Sequence, residues 1–491
     1  MAKTPQPSPP SEDEPSSPSR AVFGSTELLD DLADAAQLEP TAPGGASRFR
    51  PLGTPTFVLF PDADAKTGDR SETALEGQSV GKLAISRDEL DAAVPDAETY
   101  DKVFPPAQDI PIDLQGPLRP GVELPLKLAR PAGWSPGAGQ GGPAWYGWGG
   151  ASHPASRRHA TRHMRSLLPG VPDDCGDVGV FVVDSGISAA HLARPSAAVP
   201  NGSRLRGGIR LLGGAADALN TQPVGRFSDP YARQADGHGN MVARNVLSLA
   251  PSAAIYDVPL LPEKVTDTNL FSSVATLLFW AIRFVIGANG AHGLPKHRHW
   301  IVVNAWAVAD RFADTPGPFS YADRPDHPLN DQVARLAAMN DVDVVFAAGN
   351  SGELAPDPFS GPYDRGAGRS IWGANGLPGV HTVGAVTPGG RTIAASSQGP
   401  SLPALAGGVV NRKPDLAAPS WFHEDDDAST WNTGTSAAAA LFAGWLACLR
   451  SAGTVHPVVD KAADATEWSM HAGHPILSRA GLLSAGAAAS S

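Results

Sequence analysis

From about residue 165 onward, short unbroken apolar runs alternate with segments of helical period. Val178–Val183 and Trp300–Asn304 read as buried strands with no polar side, and Val342–Ala347 reads as a strand whose one charged residue is Asp343. A strand that can face water alternates polar and apolar residues; one without that alternation must be covered on both faces. Between and behind these runs lie helix signals. Asn240–Leu249 has helical spacing, Asn330 is placed to cap a helix through Met339, and Ser436–Leu449 is an apolar helix behind a Gly434-Thr435 turn. In the second of these, Val333, Leu336 and Ala337 share one face. Strands alternating with helices predict an α/β fold: a mainly parallel sheet between two helical layers. The longest apolar stretch, Leu270–Ile286, is interrupted by Ser272, Ser273, Thr276 and Arg283. It reads as a buried helix, since a membrane span needs about 20 mainly apolar residues.

The rest of the chain divides by composition. Residues 1–45 are rich in Pro, Ser, Ala and acidic groups and read as a disordered tail, with a short helix around Glu27–Leu38. Residues 46–132 read as a small N-terminal region, with a strand at Thr56–Phe60 ended by Pro61-Asp62. Residues 133–164 open on the Gly-, Pro- and Trp-dense run Gly133–Gly150 and read as a linker, leaving 165–491 as the main domain. A net charge of −12 argues against a nucleic-acid or anionic-membrane partner. The two cysteines, Cys175 and Cys448, fit no zinc or redox spacing; two buried thiols suit them better than a bridge. The first twenty residues hold no apolar core or cleavage pattern of a secretory signal, so the expected location is cytoplasmic, with non-classical secretion as the alternative. Nothing in the pattern specifies an oligomeric state.

Four Gly-punctuated strings in the main domain carry chemistry. They are Val182-Val183-Asp184-Ser185-Gly186-Ile187, Asp236-Gly237-His238-Gly239, Ala347-Ala348-Gly349-Asn350-Ser351-Gly352 and Asn432-Thr433-Gly434-Thr435-Ser436-Ala437. Asp184 ends a buried strand, where open α/β sheets bind ligands. A carboxylate there can hold one nitrogen of His238, whose near-neutral titration suits proton transfer. Ser436 opens a helix, whose free N–H groups and dipole favour developing negative charge. Asn350 supplies an amide donor. Alone, each string has a plainer reading: a turn Asp, a loop His, a helix-capping Ser, a turn Asn. Asp, His and Ser in this chain order, however, form one of the three orders that build an acyl-transfer triad.

These strings resemble those of the subtilisin-like serine proteases, the subtilases, over roughly residues 170–490. Weaker matches are Ala250-Pro251-Ser252-Ala253, Ser396-Ser397-Gln398-Gly399-Pro400, Lys413-Pro414-Asp415-Leu416-Ala417-Ala418-Pro419 and a closing Gly481-Leu482-Leu483-Ser484-Ala485. The resemblance implies a subtilisin-like three-layer α/β/α domain that hydrolyses peptide bonds of a protein or peptide substrate through an acyl-enzyme. It implies Ser436 as nucleophile, His238 as base, Asp184 as its orienting partner, and Asn350 with the Ser436 N–H as oxyanion donors. It implies no cofactor for the chemistry. Subtilases often carry an N-terminal prodomain; residues 46–132 have a suitable position for one, or for a wrapping arm.

The chain also departs from the family pattern. Met241 stands where a second His usually follows the base, and Ala440 where a Pro follows the nucleophile. The substrate-pairing run, usually Asn-x-Ser-Leu-Gly, is here Asn304-Ala305-Trp306-Ala307-Val308. Trp306, Ala307 and Val308, with Ala348 and Gly349 opposite, are the expected substrate-binding residues, and the bulk of Trp306 and Val308 predicts a narrowed cleft. An inactive binding protein and a dedicated processing or religating enzyme are the alternatives these departures raise. The acidic run His423-Glu424-Asp425-Asp426-Asp427 reads as a solvated loop, with a structural calcium site or a patch for basic substrate residues as alternatives.

Overall fold

The computed structural model describes residues 20–41, 47–59, 71–75, 80–85, 89, 156–168, 171, 176–188, 192, 204–212, 237–261, 268–308, 321–352, 364–390, 392–425, 431–453, 469–470 and 473. The Gly133–Gly150 linker, Cys175, Asp426, Asp427 and the closing Gly481–Ala485 segment lie outside the described residues.

In chain order, the N-terminal part supplies β1 (Arg20–Ser25), α1 (Thr26–Ala35), β2 (Phe49–Leu59), β3 (Ser71–Ala74) and β4 (Val80–Ile85). The main domain then runs α2 (Arg157–Ser166), β5 (Val178–Asp184), β6 (Leu205–Leu212), α3 (His238–Leu249), β7 (Ala254–Pro259), α4 (Thr268–Ala288) and β8 (His299–Asn304). It continues through α5 (Pro328–Ala337), β9 (Val342–Ala347), β10 (His381–Val386), β11 (Leu416–Pro419), the hairpin β12 (Phe422–His423) and β13 (Trp431–Asn432), and α6 (Gly434–Ser451). Strands β6-β7-β5-β8-β9-β10-β11 pair in that order, all parallel. Along the outer edge of β6 lies β2, antiparallel, with Thr54–Leu59 facing residues 212–207.

The unbroken apolar runs do what their composition requires. Val180 and Val182 of β5 face the layer of α2, α3 and α6, whereas Phe181 and Val183 face α4 and α5. The long helix α4 is apolar enough to cross a membrane by length and composition, but its stretch Phe271–Ala288 is 94% buried inside the fold. It is a core helix. Helix α5 starts three residues earlier than the pattern implied. His327, not Asn330, caps it, its Nδ1 accepting the Leu329 N–H at 3.2 Å. Asn330 instead donates to the carbonyls of Tyr321 and Arg324, both at 2.8 Å.

Chain order differs from strand order where it matters. The chain goes from β5 out to β6, returns to β7, and then crosses over β5 to β8. The carboxyl end of β5 is thus a point where connections diverge, which leaves a crevice at Asp184.

Candidate active site

Asp184 is the last residue of β5 and is fully buried. Its Oδ1 accepts the Ser185 N–H at 2.6 Å, and both its oxygens reach His238 Nδ1, at 2.8 and 2.9 Å. His238 begins α3. The turn after β5 is tied onto that helix start: Gly239 N–H donates to Ser185 Oγ at 3.1 Å, and Ser188 N–H to Asn240 Oδ1 at 2.7 Å. The approach is so close that a Cβ on Gly239 would overlap the Gly186 carbonyl oxygen. A side chain at that glycine would push the imidazole off the carboxylate. With Nδ1 taken, His238 Nε2 is buried and has no hydrogen-bond partner among the described residues.

Ser436 sits in the first turn of α6, where backbone N–H groups lack helical acceptors. Gly434 enters that helix at φ +70°, a left-handed conformation favouring glycine, and Ser420 Oγ donates to its carbonyl at 2.8 Å. The Ser436 hydroxyl donates to the Ala305 carbonyl at 2.9 Å. Asn350 lies beside this turn. Its Oδ1 accepts from the Thr435 N–H at 3.0 Å and from Thr435 Oγ1 at 3.2 Å. Thr435 Oγ1 in turn accepts the Gly349 N–H at 3.1 Å. Holding Asn350 by its oxygen leaves the amide NH2 as the end directed elsewhere.

Helices α3 and α6 place the two halves of the site. Both start at the carboxyl end of the sheet. They touch at Val246 and Gly444, where a Cβ on Gly444 would overlap the Val246 carbonyl oxygen. Val246 lies eight positions into α3 and Gly444 ten into α6. That close approach packs the helix that carries Ser436 against the one that carries His238. Met241 fills the place of a second His, and Asn245 Nδ2 meets its sulfur at 3.0 Å.

The pocket-wall residues are placed less as the sequence implied. Trp306 is only 2% exposed, and its ring stands edge-on to Phe346 at 5.5 Å. The indole packs into the core. Val308 is buried as well, and Ala307 is half-exposed. Ala348 gives its N–H to the Val383 carbonyl at 2.9 Å, so it continues the sheet. The acidic run is not a solvated loop at Glu424, which is buried against Arg157 and accepts Arg244 Nη2 at 3.0 Å. Asp425 accepts the Arg158 N–H at 2.9 Å. Among the described residues no group of three or more His, Cys, Asp and Glu is arranged for a metal ion. Thr435, Ser185 and Asn240 were not singled out as site residues by sequence; each is a short polar residue beside a motif, with no spacing of its own.

A family model, described as the subtilase family, matches residues 177–464, more than half of the 491 residues. The chain belongs to the subtilase family. It is accordingly a serine endopeptidase, and its substrates are peptides or proteins. Solved structures similar to this subtilase include MycP1 from the ESX-1 type VII secretion system, at 16% identity and TM-score 0.41, covering 74% of this chain and 92% of that one. The Clostridium perfringens CspB protease is similar at 14% identity and TM-score 0.43, covering 66% of this subtilase and 98% of that chain. No curated protein matches its sequence.

Proposed function

We propose that this subtilase cleaves peptide bonds with Ser436 as nucleophile, His238 as general base and then acid, and Asp184 as the group that orients it. The supporting observation is the two-oxygen hold of buried Asp184 on His238 Nδ1, at 2.8 and 2.9 Å, which leaves Nε2 to take a proton. Ser436 rests on the Ala305 carbonyl. For reaction its hydroxyl turns to Nε2 and gives up its proton as Oγ attacks the scissile carbonyl. The negative charge that forms on the carbonyl oxygen is met by the Ser436 N–H and Asn350 Nδ2. His238 then protonates the leaving amine, and water, deprotonated by the same nitrogen, releases the acyl group. No cofactor enters these steps.

The test compares wild type, Ser436→Ala and Asn350→Ala by fluorophosphonate labelling and casein cleavage. Labelling confined to chains with Ser436 supports the reading. Losing one oxyanion donor, known from subtilisin to cost about 10²–10³ in turnover, sets the expectation for Asn350→Ala. A folded wild type that takes no label would refute the reading and leave an inactive binding protein of the same fold.

A further inference from the structure

The β8–β9 ladder ends one step short of the site. Its last registered pair is Asn304 with Phe346. Beyond it the two strands run on as Ala305-Trp306-Ala307 and Ala347-Ala348-Gly349-Asn350, the segments that border Ser436. Nothing in a parallel ladder holds them together past its end. The α6 start bonds to both, through Ser436 to Ala305 and Thr435 to Gly349 and Asn350, and among the described residues a side chain from elsewhere also bonds to both. Asn375, in the short turn Gly373–Gly376 and 2% exposed, donates from Nδ2 to the Trp306 carbonyl at 3.1 Å and to the Ala347 carbonyl at 2.6 Å. Both partners are carbonyls, so only the NH2 end of the amide can face them.

Successive carbonyls of an extended segment point to opposite sides. Trp306 offers its carbonyl to Asn375, while the preceding Ala305 offers its own to Ser436 Oγ at 2.9 Å. On the facing strand, Ala347 lies three residues before Asn350. This NH2 group therefore ties the strand that accepts the Ser436 hydroxyl to the strand that leads to Asn350.

Asn375 is itself held. Its main-chain carbonyl accepts Thr382 Oγ1 at 2.6 Å, and the Thr382 N–H donates to Asp415 Oδ2 at 2.7 Å. The same carboxylate oxygen takes Lys413 Nζ at 2.5 Å, and both residues of that pair are fully buried. The Lys413-Pro414-Asp415 string thus ends in a chain of bonds leading to Asn375.

We infer that Asn375 is a positioning residue for the acyl-transfer step, setting the distance between Ser436 and the Asn350 donor; this rests on the serine-endopeptidase reading above. A purely structural Asn would lower stability and leave the folded molecule's chemistry alone. Misplacing a reacting group by about 1 Å can cost about 100-fold in rate.

The experiment measures the rate of fluorophosphonate labelling per folded molecule for full-length wild type, Asn375→Leu and Thr382→Val. The small probe reads nucleophile and oxyanion geometry without needing an extended peptide. Asn375→Leu keeps the branched shape, loses both donors, and is expected to label about 10- to 100-fold more slowly. Thr382→Val, which removes only the outer bond, is expected to slow labelling several-fold, and it decides the matter if Asn375→Leu does not fold. Labelling within twofold of wild type in the folded variants overturns the inference while leaving the protease reading standing. A wild type that does not label overturns both.

Discussion

Replacing Glu424 by Ala should cost more stability than any surface charge in the domain. Glu424 is 4% exposed, Arg157 2%. Nη1 and Nη2 of Arg157 both meet the Glu424 carboxylate, Arg244 Nη2 joins it at 3.0 Å, and Asn432 Nδ2 at 3.2 Å. Burial acts to strip the proton from Arg157 and lowers its affinity for it, against which the Glu424 charge and hydrogen bonds act. Remove the carboxylate and two guanidiniums face each other, one wholly desolvated. The hydrogen bonds left to Arg157 are Asn245 Oδ1 at 3.0 Å and Asn432 Oδ1 at 3.3 Å, with Asp425 the remaining nearby negative charge. Breaking a buried pair from one side costs about 3–5 kcal/mol. The control is the half-exposed pair Arg335–Asp331 on α5, at 2.7 Å, where truncating Arg335 to Ala should cost about 0.3–0.5 kcal/mol. Urea unfolding followed by tryptophan fluorescence gives both numbers on one scale. A loss below about 1 kcal/mol for Glu424→Ala would refute the view that α2 is locked to α3 and the β12–β13 hairpin by this charge.

Gly444→Ala puts a methyl into the Val246 carbonyl and should destabilise by about 1–3 kcal/mol while slowing Ser436 labelling, because it parts the two helices that carry the site; unchanged labelling in the folded variant would contradict that coupling. His327 is pushed by burial from 6.5 to about 3, although Asp326 acts the other way. The unfolded chain binds a proton there below pH 6.5 and the folded chain does not, so stability should fall as pH drops from 6.5 towards about 3, by up to about 1.4 kcal/mol per unit. His327→Asn should flatten that part of a stability–pH curve. Burial alone would raise the Asp343 carboxyl, but hydrogen bonds from His299, His381 and Arg450 outweigh it and hold the group well below 3.8. A carboxyl depressed in the folded state contributes fully above its unfolded value and loses that contribution as pH falls through the folded one. The stability gap between wild type and Asp343→Asn should therefore be constant near neutral pH and shrink below about pH 4, which unfolding curves across pH 2–7 would check.

The layered fold was legible because the strands announce themselves. Val178–Val183 has no polar face and Val342–Ala347 only Asp343, and the observed β5 and β9 begin at those residues. The four motifs were legible because glycine marks each place where backbone or helix approaches closely. Trp306 was not. Its neighbours in sequence place it at the cleft, but strand alternation turns the indole onto Phe346, and one residue's parity cannot be read past the end of a ladder. Glu424 was missed for a related reason. In sequence it sits in an acidic run that composition assigns to solvent; its burial depends on Arg157, 267 residues away. Asn375 carries no local signal, since a lone Asn before a glycine is an ordinary turn residue.

Strand β2 has a consequence for where the folded unit begins. The outermost parallel strand, β6, would otherwise present an open row of amide and carbonyl groups, and such an edge recruits strands from other molecules. Six residues of β2 close it, and Phe57 goes further, reaching the Tyr256 ring at 5.8 Å. Yet β2 lies well over a hundred residues before the start of the family match at residue 177. A shortened chain cut at that boundary would keep Asp184, His238, Asn350 and Ser436 and lose its guard against self-association at this edge. Solubility and chemistry in this molecule are written in different parts of the chain.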